Sequence, residues 1–366
     1  MKTDEQFLKG KYDFNEGNET ILKQIPGFGC ISGVPLDYMH LILLGVMKKL
    51  IKMWLLGPLK IRLHIKKVNT LSKKLLTLRH SIPKEFGRKP RSLLEFRYWK
   101  ATEFRTFLKY TGPIVLKNIL PELMYENFIL LHSAVTILCS PNLIAESRNI
   151  DCAQEMLENF VTGFQSIYGK EFVSDNIHNL LHICQDVKKY GPLDRFSAFR
   201  FENHMSSIKR MIRKGDKPLE QIARRYHEKE IAGKKLAIKE HFILKQIHNS
   251  GPITETCNHV WQQYKILECD SYIIDCNVDK ERCILLKSGT FCKVLNIIKC
   301  NDNEIKLIVN KISSIDKLYD QPDSRYLNIH IGSKDNDLFT TDISNVLHKV
   351  WRVSSSRGLI LLPLQH

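Results

Sequence analysis

Asn249-Ser250-Gly251-Pro252 divides this sequence of 366 residues into two parts with different hydrophobic periods. Before this break, apolar residues recur mainly at the three- and four-residue spacing of amphipathic helices. After it the period shifts toward two, most plainly in Ile305-Lys306-Leu307-Ile308-Val309. Gly and Pro at the break are typical of a turn or loop. We therefore predict an α+β protein with a mainly helical domain over residues 25–248 and a small all-β module over 255–366.

The helical part is punctuated by proline and glycine, which end one helix before the next begins. Helices are predicted over 71–79, 93–110, 115–120, 125–138, 153–168 and 177–189. Residues 1–24 are polar and without a period, and we expect a disordered leader. The apolar run 41–56 is interrupted by lysines at 48, 49 and 52, which indicates an amphipathic helix and no membrane span.

The charge of the chain is strongly basic and unevenly distributed. The formal net charge is +16, but residues 251–366 contain 14 Lys+Arg and 14 Asp+Glu, so the whole excess lies in residues 1–250. A basic region favours binding to nucleic acid through the phosphates. The neutral β module is better suited to protein docking or to a structural role.

The densest basic run extends from Lys209 to Lys245 and has twelve Lys or Arg against five acids. The candidate nucleic-acid-binding residues in it are Lys209, Arg210, Arg213, Lys214, Arg224 and Arg225. The alternative is a solvated helix with ion pairs four residues apart, such as Glu220–Arg224 and Glu230–Lys234. The pattern leaves both interpretations open.

The ten cysteines include no Cys-x-x-Cys pair, and five of them lie between 269 and 300 in the β-patterned segment. The short ligand spacings typical of structural zinc are missing. We therefore expect reduced thiols that pack as small apolar groups, and we predict no metal site from them.

Two acidic residues precede helical patterns. Asp37 follows Pro35 and comes before an apolar stripe at 39, 42, 43, 46 and 50, so it is a candidate N-cap, and His40 lies one turn further on. Glu202 lies near the start of a predicted helix that continues to Lys214. The helix dipole alone favours an acid at a helix start. A purely structural role is thus available to all three side chains.

Several separate segments carry a family resemblance in a consistent order. They are Val34-Pro35-Leu36-Asp37-Tyr38-Met39-His40, Trp99 to Leu108, Gly112 to Leu116, Ser174 to His182, and Asp194-Arg195-Phe196-Ser197-Ala198-Phe199-Arg200-Phe201-Glu202-Asn203-His204. Over about residues 20–230 the chain resembles the CACTA-type (En/Spm-like) DNA transposases. It more closely resembles transposase-derived proteins scattered through invertebrate genomes.

The resemblance implies a ribonuclease-H-like enzyme in which two aspartates and a glutamate hold Mg²⁺ or Mn²⁺. By that pattern Glu202 matches the family's glutamate, and Asp37 with His40 matches its Asp-x-x-His element. The long helical stretch that ends at Glu202 resembles the all-helical insertion found in several such transposases. The candidate catalytic residues are therefore Glu202, Asp37 and His40.

The chain departs from the family at its beginning. The first catalytic aspartate and a cysteine-rich stretch lie well upstream in the family, whereas only Asp4 and Asp13 precede Asp37 here. Because two-metal chemistry needs several converging carboxylates, we expect poor binding of magnesium or manganese and no strand transfer.

The resulting expectation is a nuclear, catalytically incomplete transposase-derived protein that binds duplex DNA weakly and without sequence preference. The alternative is a protein–protein interaction module whose partner is a full-length transposase or a second copy of this chain, without DNA binding.

Overall fold

The computed structural model describes residues 3–12, 20–231, 242–254, 260–301 and 304–365, which form a helical part followed by a barrel-like sheet. The α+β prediction is confirmed at this level. The α-helices are α1 (Asp4–Leu8), α2 (Lys48–Leu56), α3 (Ile65–Leu78), α4 (Ala101–Thr106), α5 (Gly112–Val115), α6 (Glu122–Cys139), α7 (Pro141–Ile144), α8 (Ser147–Tyr168), α9 (Asp175–His178), α10 (Ile183–Tyr190), α11 (Phe199–Met211) and α12 (Pro218–Ile231).

Two wider segments with π-helical hydrogen bonding extend these helices. Met39–Met47 runs directly into α2, and Phe107–Thr111 joins α4 to α5. α6 is buried along most of its length, while α8 is amphipathic and turns Leu157, Phe160 and Phe164 toward the interior. α6 and α8 pack against each other. None of the described helices is long and apolar enough to cross a membrane.

The sheet contains nine strands among the described residues, and all of their pairings are antiparallel. They are β1 (Phe242–His248), β2 (Val260–Cys269), β3 (Ile273–Asp275), β4 (Cys283–Leu286), β5 (Phe291–Cys300), β6 (Ile305–Lys317), β7 (His330–Asp342), β8 (Val346–Ser355) and β9 (Gly358–Pro363). The order is β1-β2-β5-β4-β8-β9-β7-β6, with β3 beside β2. The additional pairing of β5 with β6 closes the sheet into its barrel-like form.

The helical part and the sheet share their largest hydrophobic core. Ile331, Trp351 and Leu362 from the sheet belong to the same buried cluster as the helical side chains. The ring of Phe86 lies 5.9 Å from that of Trp351, and the indole N–H of Trp351 donates to Ser81 Oγ at 3.3 Å. Because this core crosses the boundary, we expect the two parts to unfold together.

The first strand begins inside the range predicted to be helical, residues 25–248. β1 starts at Phe242 and pairs with β2 from Phe242↔Cys269 to His248↔Gln263. The break at 249–252 therefore lies between two paired strands and does not separate the helices from the sheet. β1 forms a strand because it pairs with β2, and this pairing is not visible in the short hydrophobic pattern of β1 itself. The sequence pattern therefore places the boundary after β1 instead of before it.

The structure also differs from the predicted disordered leader, residues 1–24. α1 is a short helix with Thr3 as its N-cap, and the Asp4 carboxylate accepts the backbone N–H of Ile31 at 2.6 Å and of Ser32 at 3.1 Å. These bonds tie part of the leader to a later loop. Residues 13–19, and with them Asp13, lie outside the described residues.

The cysteines in the described part of the chain are free, whereas Cys257 lies outside it. Cys283 and Cys292 are buried in the sheet, and burial raises the pKa of each thiol to about 12. Thiols held protonated in this way pack as small apolar groups.

Candidate functional site

Asp37 caps two helical segments that are far apart in the sequence. Its carboxylate accepts the backbone N–H of Met39 at 3.3 Å and of His40 at 3.0 Å, at the start of the segment Met39–Met47. The same carboxylate accepts the N–H of Ala198 at 2.7 Å, just before α11. Asp37 therefore has the cap role that the local pattern predicts, and it also fixes the beginning of the helix that carries Glu202.

His40 connects the two acids. Its Nδ1 donates to Asp37 Oδ2 at 2.5 Å, and its Nε2 lies 3.6 Å from Glu202 Oε1. The side chain of Glu202 is 61% exposed and that of Asp37 is 25% exposed, so the group lies at the surface. The three residues matched to the family's motifs thus lie together in the fold.

The wide turns of Met39–Met47 carry His40 at their beginning. Such π-type turns occur frequently at functional sites in proteins. Gly45 in this segment lies against Asn176 at the start of α9, and a Cβ there would collide with the side-chain amide of Asn176. A Cβ at this position would also lie 2.9 Å from the backbone carbonyl oxygen of His40, so glycine favours this close packing.

The hydrogen bonds at Asp37 determine its protonation. Burial favours the neutral acid, but the backbone N–H groups of Ala198 and His40 and the His40 side chain outweigh it and hold the pKa of Asp37 below its ordinary value. Asp37 is therefore a carboxylate at neutral pH, and its oxygen atoms are occupied as acceptors. Within the described residues, no group of three or more His, Cys, Asp and Glu side chains is arranged to hold a metal ion.

The chain after Ala198 forms a hairpin of α11 and α12, residues 199–231, which we call the basic hairpin. α12 has no buried residue, and α11 buries only Met211. His204 Nε2 lies 2.8 Å from the hydroxyl of Tyr226, which joins the two helices. The Gln221 side chain accepts the N–H of Arg213 at 2.9 Å and orders the connecting loop. The hairpin is held by polar contacts with almost no core.

The basic residues of the hairpin occupy two kinds of position. α11 ends at Met211, so Lys209 and Arg210 lie in its last turn while Arg213 and Lys214 lie in the following loop, not on the helix that the pattern predicts. All four are partly or fully exposed, and none forms an ion pair with a described residue. The apolar residues of α11 that recur at helical spacing are not buried, since Met205 is 51% exposed and Ile208 is partly exposed.

Arg224 and Arg225 differ from these four. Arg224 Nε lies 3.0 Å from Glu228 Oε1, and Arg225 Nη1 lies 2.6 Å from Glu228 Oε2. The ion pair Glu220–Arg224 considered from the sequence is replaced by these contacts, and Lys217 pairs with Glu220 at 3.7 Å instead. The pair Glu230–Lys234 extends beyond the described residues. The alternative of ion pairing along the helix thus describes α12 better than α11.

A buried ionic cluster between the helical part and the sheet was not predicted from the sequence. Lys349 of β8 is 1% exposed and donates to Glu85 at 2.8 Å and to the fully buried Glu281. Glu281 also accepts the N–H of Lys84 at 3.1 Å. Lys349 is buried together with its neighbours Val350 and Trp351 in β8. A lysine beside two apolar residues carries no sequence signal that its own side chain is buried.

Comparisons with known proteins concern the second part of the chain. Residues 247–364 match a family described as a domain of unknown function, DUF8592. This range covers almost all of the strands, from the end of β1 to the end of β9. No protein of curated function matches the chain. No solved structure matches it.

Proposed function

We propose that this chain is a transposase-derived protein of the CACTA (En/Spm-like) type, with a remnant of a ribonuclease-H-like core, that associates with duplex DNA weakly and without sequence preference. The observation that carries the proposal is the basic hairpin, in which Glu202 lies in the first turn of α11 and the unpaired cations Lys209, Arg210, Arg213 and Lys214 lie in its last turn and the following loop. A nuclear location is part of the same proposal, because the nucleus holds the DNA partner.

The hairpin is suited to phosphates more than to bases. It contains nine Lys or Arg and five Asp or Glu, and six of its cations, among them Lys209, Arg210, Arg213 and Lys214, have no acidic partner among the described residues. Each phosphate that they neutralise releases counterions, which gives affinity without sequence information.

The acids beside the hairpin support binding without cleavage. Metal-assisted cleavage needs carboxylate oxygens that are free to coordinate two ions. Both oxygens of Asp37 already accept two hydrogen bonds each, Oδ1 from the backbone N–H groups of Met39 and Ala198 and Oδ2 from the backbone N–H and Nδ1 of His40. Glu202 with His40 then supplies too few ligands, and we propose a catalytically incomplete site that serves as structural support.

Exposed apolar side chains on the hairpin favour a second candidate function. Phe201, Leu219 and Ile231 are 70%, 78% and 73% exposed. Apolar side chains on an uncovered helical hairpin are suited to a protein partner. In this second proposal the hairpin docks on a full-length transposase or on another copy of the chain, and DNA is not bound.

The decisive experiment uses the full chain, because the helical part and the sheet share a core. Lys209, Arg210, Arg213 and Lys214 are changed together to Gln, and binding to several unrelated duplexes is measured at about 50 to 200 mM salt. We expect weaker binding to every duplex and a log–log salt slope that is flatter by about 0.9 for each phosphate that the variant no longer neutralises.

The matched control changes four exposed cations outside the hairpin, Lys60, Arg62, Lys66 and Lys67, to Gln. It alters the net charge equally and should retain most of the affinity. Equal loss of affinity in both variants would show that net charge alone determines binding. A hairpin variant with the parent's affinity for DNA would favour the protein-docking function.

A further inference from the structure

A cavity of about 580 Å³ lies between the segment 192–200, the end of α6 and the β8 side of the sheet. Its walls come from both parts of the chain, Arg195 and Arg200 from one and Ser271, Tyr272 and His348 from the other. Its volume falls within the range of about 300–1,000 Å³ that is usual for small-molecule sites.

Arg195 and Arg200 are the cations in this cavity that have no acidic partner among the described residues. The acid that precedes them in sequence, Asp194, is already paired with Arg105 at 2.8 Å. Lys349 also lines the cavity, but its ammonium group donates to Glu85, Glu281 and the carbonyl of Ile273. The positive charge available to a ligand therefore comes from the two guanidinium groups.

The opposite wall offers uncharged polar groups. Ser271 and Tyr272 contribute hydroxyls and His348 contributes an imidazole, while Asn142 of α7 adds an amide to the lining from the helical part. Burial first, and then the nearby Lys109, lower the pKa of His348, so the ring is neutral at pH 7 and keeps one nitrogen as an acceptor. Gln365 lines the same wall, and its Oε1 has no hydrogen-bond partner among the described residues.

We propose that this cavity binds a nucleoside monophosphate, with Arg195 and Arg200 clamping the phosphate and the opposite wall facing the base and sugar. Guanidinium groups match phosphate oxygens in a two-point geometry, and two of them balance a phosphate dianion. Mixed donors and acceptors are suited to the edge of a heterocycle and to sugar hydroxyls. The site is independent of the proposed DNA contact, since it uses none of Lys209, Arg210, Arg213 and Lys214.

The test is calorimetric titration of the full chain with adenosine monophosphate, inorganic phosphate and adenosine. Adenosine monophosphate should bind at least tenfold more tightly than either fragment, because only it reaches both walls. The double variant R195Q/R200Q should lose at least tenfold in affinity for the monophosphate. The matched control R79Q/R148Q changes two exposed arginines elsewhere and should bind as the parent does.

Three results would overturn the proposal: no binding of adenosine monophosphate, binding no tighter than that of inorganic phosphate, or full affinity in R195Q/R200Q with an unchanged unfolding transition. Should the double variant unfold, Asn142→Ala, which removes an exposed amide from the lining, provides the second measurement. It should weaken the binding of the monophosphate and leave the binding of inorganic phosphate unchanged. Equal affinity of N142A and the parent for the monophosphate would then refute the proposal.

The source of the nucleotide is decided by a further titration with 5′-phosphorylated tetrathymidylate. Tighter binding of this strand than of thymidine monophosphate assigns the cavity to a strand end, and the reverse assigns it to the free nucleotide. The hairpin variant with four Gln substitutions should keep its affinity for adenosine monophosphate, which separates failure of this site from failure of the DNA contact.

Discussion

The Asp37 carboxylate accepts a hydrogen bond from the backbone N–H of Ala198, 161 residues further along the chain, at 2.7 Å. This bond joins the start of the π-helical segment Met39–Met47 to the start of α11. It brings His40 within 3.6 Å of Glu202 and sets the direction in which the basic hairpin leaves the helical part. One side chain thus organises both segments in which the resemblance places functional residues.

Replacing Asp37 should therefore destabilise the protein. Asp37→Ala removes an acceptor shared by two helix starts, and we expect a loss of about 1–2 kcal/mol in the free energy of unfolding. Asp37→Asn keeps one acceptor oxygen and should cost less. Urea unfolding at pH 7 measures both, with Asp151→Ala as the control, since Asp151 makes only an exposed pair with Lys188. A loss in D37A no larger than in D151A would contradict the double-cap role.

The pattern of the sequence predicts the α+β division because helical and strand periods are local properties. It also predicts Asp37 as a cap. The proximity of Asp37 and Glu202 has no local signal, and only the ordered motifs of the resemblance pointed to it. The strand β1, the burial of Lys349 and the cavity at Arg195 depend on contacts between distant segments, which the period of a short window does not contain.

His132 should make the stability of the protein fall in mild acid. It is fully buried in α6, its Nδ1 donates to the Leu108 carbonyl at 2.9 Å, and its Nε2 accepts from the Tyr319 hydroxyl at 2.8 Å. Burial lowers the pKa of His132 to about 4. The unfolded chain takes up the proton first, so stability is complete above about pH 6.5 and declines as the pH falls toward 4, by up to about 3 kcal/mol.

Chemical unfolding across this pH window measures the effect. His132→Gln removes the titrating group and should flatten the dependence on pH, even though the variant is less stable throughout. His178→Gln changes an exposed histidine and should keep the parent's slope. An identical slope in the parent and in H132Q would refute the assignment to His132.

Lys349 should be essential for the contact between the helical part and the sheet. Lys349→Ala leaves the buried carboxylates of Glu85 and Glu281 without their cation, and breaking such a cluster typically costs about 3–5 kcal/mol. Lys287→Ala removes an exposed lysine from the turn after β4 and should change stability by about 0.5 kcal/mol or less. Urea unfolding compares the two, and similar losses of stability would show that the buried cluster contributes little.

The purified chain should neither nick nor join DNA with magnesium or manganese. The reason is the occupation of both Asp37 oxygens, which leaves Glu202 without enough carboxylate partners. A supercoiled plasmid assay at several metal concentrations measures this, with Glu202→Gln as the matched variant. Cleavage by the parent that disappears in E202Q would show that another carboxylate completes an active site.

Glu228 should restrain DNA binding by the hairpin. Its carboxylate pairs with Arg224 at 3.0 Å and with Arg225 at 2.6 Å, so both guanidinium groups are partly neutralised. Glu228→Gln frees them, and we expect tighter binding to every duplex together with a steeper salt slope, by about 0.9 for each additional phosphate that is neutralised. Glu158→Gln removes an exposed acid from α8 and serves as the control for net charge. If E228Q and E158Q raise affinity equally, α12 does not contact DNA, and the phosphate contacts are confined to Lys209, Arg210, Arg213 and Lys214.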